Sequence, residues 1–549
     1  MYSTTHKYKG VAMMEIPEKL SLMIEEYLNK WMKLNGTPGL SLAITDSDRM
    51  IASYCIGEAD ISSHRPVSPH TLFQIGSVSK SFTCIALLQL AEKGVIDLNK
   101  KIVSYLPWFE TKSGHEDITI HHMMTHTSGL IIGSDALPTA ESEVWSLRST
   151  DATSPKGSHF HYSNSAYKTL GILLETITGE SYENIMRDRI LKPLGMDSTE
   201  PVIRNNIKER SAVGYSPLYD DRPFIAGAAL SPSTWFESNT ADGSISSTGA
   251  DMCAYMRMLL NQGRHPEGRI LAEEVFEKMV SPYVDTNDGV HGRSYGYGLN
   301  IEEIDGNPGL GHQGGMVGFY TSMLMDSVKG IGVIVMINGP GEPYDVAKSV
   351  LRIVGSNGSG TPPVPKDPAL ISDPMDWVGR YVSRTETIEF LSRDGRVYLS
   401  CEGKEHQAIE IDRGAIYVNA PTKELCAFGL KKRDGRIVGV THDHSMYQKE
   451  GEEIPSNILI PDEWKAYSGH YRSHNPWLNN FRIVLRDSGL VMIYPMGQEE
   501  PLTWRDDGSF RIGADPMSPE RISFDAIIDG RALIAHISGG GMYGRTFTA

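Results

Sequence analysis

A chain of 549 residues exceeds what one ordinary hydrophobic core serves, so two to four domains are expected. The formal net charge of -16 argues against nucleic acid as a partner, because phosphate binding uses clustered Lys and Arg, and the 40% hydrophobic content is that of a soluble globular chain. Cys55, Cys84, Cys253, Cys401 and Cys426 are scattered and lack CxxC spacing, which implies neither a disulfide framework nor a zinc ribbon. The opening "MYSTTHKYKGVAMMEIPEKL" has no apolar core of signal-peptide length, and no later run reaches the roughly 18 apolar residues of a membrane span. Cytoplasmic location is therefore the default expectation, although a processed secreted protein would read the same.

In chain order, "SLMIEEYLNKWMKL" predicts an amphipathic helix, and after Thr37-Pro38-Gly39 the runs "LSLAITD" and "MIASYCIG" predict two strands. "GSVSKSFT", residues 76–83, then opens a helix that Gly94 closes. Ser77 and Lys80, three apart, share one face of it. Taken alone, the pair fits either an activated nucleophile or a helix cap with a solvated lysine. It is not a phosphate loop, because Ser79 stands where backbone amides need a glycine to wrap phosphate. "HHMMTH", residues 121–126, places His122 and His126 at i, i+4, but Met123 stands where a zinc protease carries its glutamate, so a helix end with satisfied histidines is expected.

"HYSNSAYKTLG" offers Tyr162 and Asn164 just before an apolar helix, and "SYENIMRDRIL" and "DMCAYMRMLLNQG" continue the helical middle. "GRSYG", residues 292–296, matches G-x-S-x-G, yet polar text precedes it and a strand follows, the reverse of an esterase elbow; Ser294 is read as ordinary. Strands resume in "YGLNIEEI", "GFYTSMLMD" and "GIGVIVMIN", before the helix "PYDVAKSVLRIVG". Between them "GLGHQGGMVGF" sets His312 and Gly314 on a strand edge, with glycines where a ligand must approach backbone. Strands at both ends and helices between predict one antiparallel sheet built from distant parts, a helical subdomain, and a cleft between them.

"GSNGSGTPPVPKDP", residues 355–368, is a linker text, and the chain beyond it turns into short alternating runs such as "GRVYLS" and "FRIVLR". That tail repeats itself. Trp377 with Gly379-Arg380-Tyr381 returns as Trp464 with Gly469-His470-Tyr471, Asp434-Gly435-Arg436 as Asp529-Gly530-Arg531, and Met446-Tyr447 as Met542-Tyr543, at offsets of about 90 to 96 residues. Two small β domains of about eight strands each, closed into barrels, are predicted. His442 and His444 fall where the second copy has "ISGGG" and are read as a loop. The expected divisions are 1–354, a linker over 355–370, 371–455 and 456–549.

The order S-x-x-K, Y-x-N, H-x-G resembles the serine β-lactamase and penicillin-binding-protein family, in its class C-like branch of D-aminopeptidases, esterases and related hydrolases. "LFQIGSVSKSFT", "MMTHTSGL", "LKPLGM" and "YGYGL" are similar to phrases of that branch, and the resemblance spans roughly residues 17–354. It implies an α+β β-lactamase-like catalytic domain, and the tail resembles the D-aminopeptidase type, in which two small antiparallel barrels follow. By the same resemblance Ser77 is the nucleophile, Lys80 and Tyr162 carry its proton, and Asn164 orients Lys80 and the substrate amide. Gly314 and His312 line the substrate, and the backbone N–H groups of Ser77 and Gly315 form an oxyanion hole; no metal or cofactor is implied. Which of Lys80 and Tyr162 is the base stays open.

His312 stands where many β-lactamases have lysine. A neutral imidazole favours a substrate carboxylate less than a permanent cation does, which shifts the expectation toward peptides, amides or esters. The expected activity is a D-aminopeptidase-like peptidase or amidase on small-molecule or short-peptide substrates. A carboxylesterase or acyl transferase is the alternative, and a penicillin-binding or sensor module without turnover is the reading from a different class. The tail is read as gating the cleft or joining subunits of a homo-oligomer.

Overall fold

The computed structural model describes residues 16–547 except 134, 136, 138, 154, 155, 288, 360–362, 402 and 453–459. The middle of the expected linker and the expected boundary at 455/456 lie outside the described residues. The chain forms two compact units: one runs to Ser216 and resumes over Leu230–Pro365, the other joins Pro217–Ala229 to the chain from Lys366 onward.

The first unit is built on a nine-stranded antiparallel sheet. Its long strands are β1 (Gly39–Thr45), β2 (Met50–Asp60), β3 (Asn300–Ile304), β4 (Asn307–Met316), β5 (Phe319–Asp326) and β6 (Ile331–Ile337). The order is Val284–Asp285, Ser294–Tyr295, β3, β4, β5, β6, β1, β2, Arg65–Pro66, so the two ends of the unit's sequence meet where β1 pairs β6, with Leu42 opposite Val335. Around it lie α1 (Glu18–Asn35), α2 (Ser79–Glu92), α3 (Asn164–Thr178), α4 (Gly249–Leu260) and α5 (Pro343–Gly355).

Both faces of the centre are covered, which is why β1 and β6 read as nearly unbroken apolar runs. With side chains alternating, Leu40, Leu42 and Ile44 of β1 join Val333, Val335 and Ile337 of β6 against Ile24, Leu28 and Trp31 of α1 and Val346 and Val350 of α5. Ala43, Ile334 and Met336 face the other way, into the core shared with α2, α3 and α4. There α4 approaches so closely that a Cβ on Gly249 would lie 3.0 Å from Ala43 Cβ.

The ends of these helices follow local chemistry. Gly36, at φ 68°, closes α1 by donating to Met32 O, and Pro343 begins α5 where its missing N–H costs nothing. Residues Ser79 to Leu88 of α2 are buried without a break. A helix buried all round is an interior helix, and α2 therefore carries its polar residues into the core. Gly94, at φ 68°, ends it as expected, with Val95 N donating to Leu90 O at 2.9 Å.

In the second unit, strands over Gly379–Lys449 and over Gly469–Arg545 form two closed barrels of eight strands each. Each closes where its first strand meets its last, Tyr381 opposite Lys449 and Tyr471 opposite Arg545. The sequence repeat marks this closure: Tyr381 and Tyr471 are fully buried, and their hydroxyls donate to Trp377 O at 2.9 Å and Tyr467 O at 2.8 Å. The repeated Asp-Gly pairs are the tight turns that need two positive φ angles, 48° and 78° at Asp434 and Gly435, 50° and 70° at Asp529 and Gly530. His442, read as loop, instead ends the strand Arg436–His442, buried and stacked on Phe428 at 4.3 Å; His444 follows in the turn. Residues 217–229 are held in this unit by Asp220, which accepts from Arg472 at 2.5 Å and Asn479 at 2.6 Å.

Among the described residues no helix is long and apolar enough to cross a membrane. Gly435→Val, which forces a β-branched residue into the left-handed region, should destabilise the first barrel by about 1–2 kcal/mol, read as an earlier denaturant midpoint, whereas Lys431→Ala on an exposed strand should leave that midpoint within experimental error.

Candidate active site

The chain enters α2 through a tight turn, Gly76–Val78, with Gly76 at φ 52°. Ser77 sits in this turn, partly exposed, and Lys80 lies in the first turn of the helix at 0% exposure. Lys80 Nζ is 2.9 Å from Ser77 Oγ, so the three-residue spacing does bring hydroxyl and amine together. Ser163 caps α3, its Oγ accepting from Ala166 N at 3.0 Å, and this fixes Asn164 as the first helical residue. Asn164 Oδ1 accepts from Lys80 Nζ at 2.7 Å, and the backbone carbonyl of Asp242 does so at 2.8 Å.

These three oxygens suit Lys80 in either charge state. An ammonium has three N–H donors, one for each oxygen. A neutral amine keeps two donors, for Asn164 Oδ1 and Asp242 O, which can only accept, and turns its lone pair toward the Ser77 hydroxyl. A proton can thus pass between Ser77 and Lys80 without any heavy atom moving.

The aromatic wall is Tyr162, half-buried, with its ring centroid 4.9 Å from Lys80 Nζ. Behind it the His126 ring packs at 4.3 Å, and His126 Nδ1 accepts from Ser163 N at 3.0 Å, between Tyr162 and Asn164. The expected helix end with satisfied histidines holds for His122 but not for His126. The helix Ile120–Met124 ends before it, and its φ of 57° turns it inward, where Nε2 is buried with no hydrogen-bond partner among the described residues. His122 instead completes a capping box with Thr119.

The opposite side is a backbone seam. A Cβ on Gly314 would stand 1.9 Å from Ile75 O and 3.2 Å from Ser77 N, and one on Gly76 would stand 2.7 Å from Gly315 N. Strand β4 and the turn before α2 therefore touch main chain to main chain, which side chains at 76 or 314 would prevent. The N–H of Ser77, in the turn that begins the helix, is among those without an intrahelical acceptor, and the seam sets it beside the Gly315 amide. Beyond Gly315 there is room: a Cβ there meets nothing nearer than 4.0 Å.

His312, two residues earlier on β4, is 5% exposed. Its Nδ1–H donates to Gln313 O, which leaves Nε2 to accept from Tyr295 OH at 2.9 Å. Burial, and then the Lys80 charge, push His312 down to about 3. It is a neutral, fully engaged ring. Ser294 has no such place: its Oγ donates to Asp285 Oδ1 at 3.0 Å in an exposed hairpin. No three His, Cys, Asp or Glu side chains among the described residues are grouped to hold a metal ion.

Sequence reasoning missed three participants. Asp242 acts through a carbonyl that any residue would supply, so its identity gave no signal. Tyr295 lay inside the rejected "GRSYG", and His126 inside "MMTHTSGL"; both were quoted, but neither spacing discloses a contact with His312 or Tyr162.

The chain is similar to known proteins. Residues 24–355 match the family model described as Beta-lactamase. Penicillin-binding protein 4 of Amycolatopsis lactamdurans is 26% identical over 325 residues, 55% of this chain and 81% of that protein. Protein flp of Staphylococcus aureus (strain N315) is 24% identical over 330 residues, 58% of this chain and 63% of its own length. The octameric penicillin-binding protein homologue from Pyrococcus abyssi shares the fold, with a TM-score of 0.59 at 23% identity, covering 78% of this chain and all of that one.

The state of His312 generates a test. An unfolded histidine titrates near 6.5, so between that pH and about 3 the unfolded chain binds a proton that the folded one refuses. The stability it contributes is complete above about 6.5 and is lost as pH falls toward 3. Histidine-selective NMR is expected to find this ring neutral, with the proton on Nδ1, at every pH down to about 4; titration near 6.5 would contradict the enclosure described.

Proposed function

The chain belongs to the beta-lactamase family, and on that footing we propose that it is a serine hydrolase of the class C-like branch, cleaving small peptide, amide or ester substrates through an acyl-enzyme, with D-aminopeptidase-like amide cleavage as the favoured reaction. The observation that carries this is the convergence of Ser77 Oγ, Asn164 Oδ1 and Asp242 O on Lys80 Nζ within 2.9 Å.

In this reading Ser77 Oγ attacks the scissile carbonyl while its proton passes to Lys80. The oxyanion meets the N–H groups of Ser77 and Gly315, where each donor of this kind contributes about 10²–10³ in rate. The leaving amine must be protonated as the C–N bond breaks; Lys80 gives up the proton, with Tyr162, lining the path 4.9 Å from Nζ, delivering it. Water then repeats the sequence on the acyl-enzyme. Asn164 fixes Lys80, Gly314 allows the seam, and His312, neutral and engaged by Tyr295, shapes the wall without offering a charge to a carboxylate. That neutrality supports amides and esters over carboxylate-bearing β-lactams. The D preference rests on the two-barrel tail.

A second reading is supported by the name of the Amycolatopsis relative: a penicillin-binding or sensor module without turnover. An esterase or acyl transferase would use the same acyl-enzyme with a leaving group that needs less protonation. The Pyrococcus protein's octameric state supports a homo-oligomer here, which light scattering would measure.

The test is a panel of chromogenic D- and L-amino-acid anilides, simple esters and a β-lactam, run on native protein and Ser77→Ala. Turnover of D-anilides that falls by at least about 10³-fold in Ser77→Ala is expected; equal activity in both removes the proposal. Ester turnover without anilide turnover selects the esterase, and stoichiometric β-lactam labelling without turnover selects the binding protein. Gly314→Ala, whose Cβ would stand 1.9 Å from Ile75 O, should part the seam and lower the Ser77-dependent turnover.

A further inference from the structure

One helical turn behind the site lies a buried charge cluster that the mechanism above does not use. On α3, Lys168 follows Asn164 by four residues, so both project from one face. Asn164 meets Lys80. Lys168, 3% exposed, donates to Glu143 Oε2 at 2.6 Å and to Asp135. Glu143 comes from the helix Ala140–Ser146 and is itself 2% exposed.

Asp242 joins the two lysines. Its carbonyl holds Lys80 at 2.8 Å, and its carboxylate faces the cluster. Burial opposes the Lys168 ammonium, but Asp242, Asp135 and Glu143 outweigh it and hold Lys168 charged well above the ordinary lysine range. Burial also pushes Glu143 up to about 7 and raises Asp135, against the pull of Lys168.

The cluster does not satisfy itself. Glu143 Oε1, Asp242 Oδ1 and Ser165 Oγ are buried without hydrogen-bond partners among the described residues. Two of them crowd one glycine: a Cβ on Gly133 would lie 2.5 Å from Glu143 Oε1 and 2.9 Å from Ser165 Oγ. A buried ion pair with idle oxygens is poor as a mere brace, since desolvation costs about as much as the pairing returns.

Its field reaches Lys80 with little competition. The other titratable groups turned toward Lys80 are Cys84 on α2, Tyr167 on α3, His126, His312 and Tyr162. Burial pushes Cys84 up to about 12 and Tyr167 well above its usual value, and pushes His312 down to about 3 and His126 well below its own. Those four are uncharged at neutral pH. Of the cluster, Asp135 acts directly on the Lys80 charge, and Asp242, Asp135 and Glu143 act on Lys168.

We propose that Lys168, with Glu143, Asp135 and Asp242, is a positioning assembly for Lys80, fixing the two oxygens that hold its amine and setting the field in which that amine gains and loses its proton. The proposal rests on the reading of Lys80 as proton acceptor. Its signature is a pair of opposite shifts. With Lys168→Met, the remaining carboxylates favour the Lys80 ammonium, and the free amine appears only at higher pH. With Glu143→Gln, the negative charge that Glu143 carries above about 7 is gone, and in that range the amine is freed at lower pH. A full charge about 8 Å away at an effective dielectric of about 20 moves such a transition by about one and a half pH units.

The experiment is the rate of Ser77 labelling by a fluorophosphonate between pH 5 and 9, read by intact mass, which requires no knowledge of the substrate. The acid limb is expected to move up by about one and a half units in Lys168→Met, to move down in Glu143→Gln, and to return to the native position in Lys168→Arg. If the native protein is labelled but all limbs coincide, the inference is overturned while the hydrolase reading stands. Shifts of the same sign in both variants also overturn it, because loosening alone has no sign. If native protein is not labelled at Ser77, the hydrolase reading fails first. Should Lys168→Met not fold, Glu143→Gln against native protein decides by its direction alone.

Discussion

A lysine amine enclosed by protein, with three oxygens within 2.9 Å, is the constraint on which the first unit depends. Taking an ammonium out of water costs several kcal/mol even after relaxation. Each of the oxygens that offset this comes from a different part of the chain: the turn before α2, the first residue of α3, and the Asp242 carbonyl. The fold must therefore deliver a buried helix, a capped helix and a loop to one point. The unbroken burial of α2, the Ser163 cap of α3 and the hydrogen bond from Ser163 N to His126 are the local devices that do so.

The sheet supplies what side chains cannot. At Gly76 and Gly314 the main chains of β4 and the turn before α2 come within contact distance, with no side chain between them beside Ser77. Because β4 is continuous with β5, β6 and β1, whose alternating faces fill both cores, the seam inherits the rigidity of the central sheet. His312, on the same strand, is neutral because it is enclosed and because Tyr295 occupies its second nitrogen.

Much of this was legible because the informative residues act through side chains at local spacings. Ser77 and Lys80 share a helix face, Asn164 heads a helix, and glycines interrupt an otherwise apolar strand. The barrels were legible through a different channel, the repeated Asp-Gly turns and the buried Tyr residues that recur with them. What escaped acts through backbone or distant contact. Asp242 contributes a carbonyl, His126 needs a left-handed φ that no pattern announces, and Lys168 sits in an apolar helix run where a lone lysine reads as a solvated residue. The excursion at 217–229 has no compositional mark, since Asp220 finds Arg472 and Asn479 some 250 residues later. His442 was misread because its counterpart in the second copy is glycine-rich, while its own burial depends on stacking with Phe428.

The central claim is that Ser77 becomes covalently acylated because Lys80 relieves it of its proton. The most direct measurement is acid quenching of the protein during turnover of a slow ester, followed by peptide mapping of the mass increase. The expected result is one acyl group on the peptide containing Ser77, absent when Lys80 is replaced by methionine. Turnover with Ser77 unmodified, or an adduct carried by another serine such as Ser294, would contradict the account.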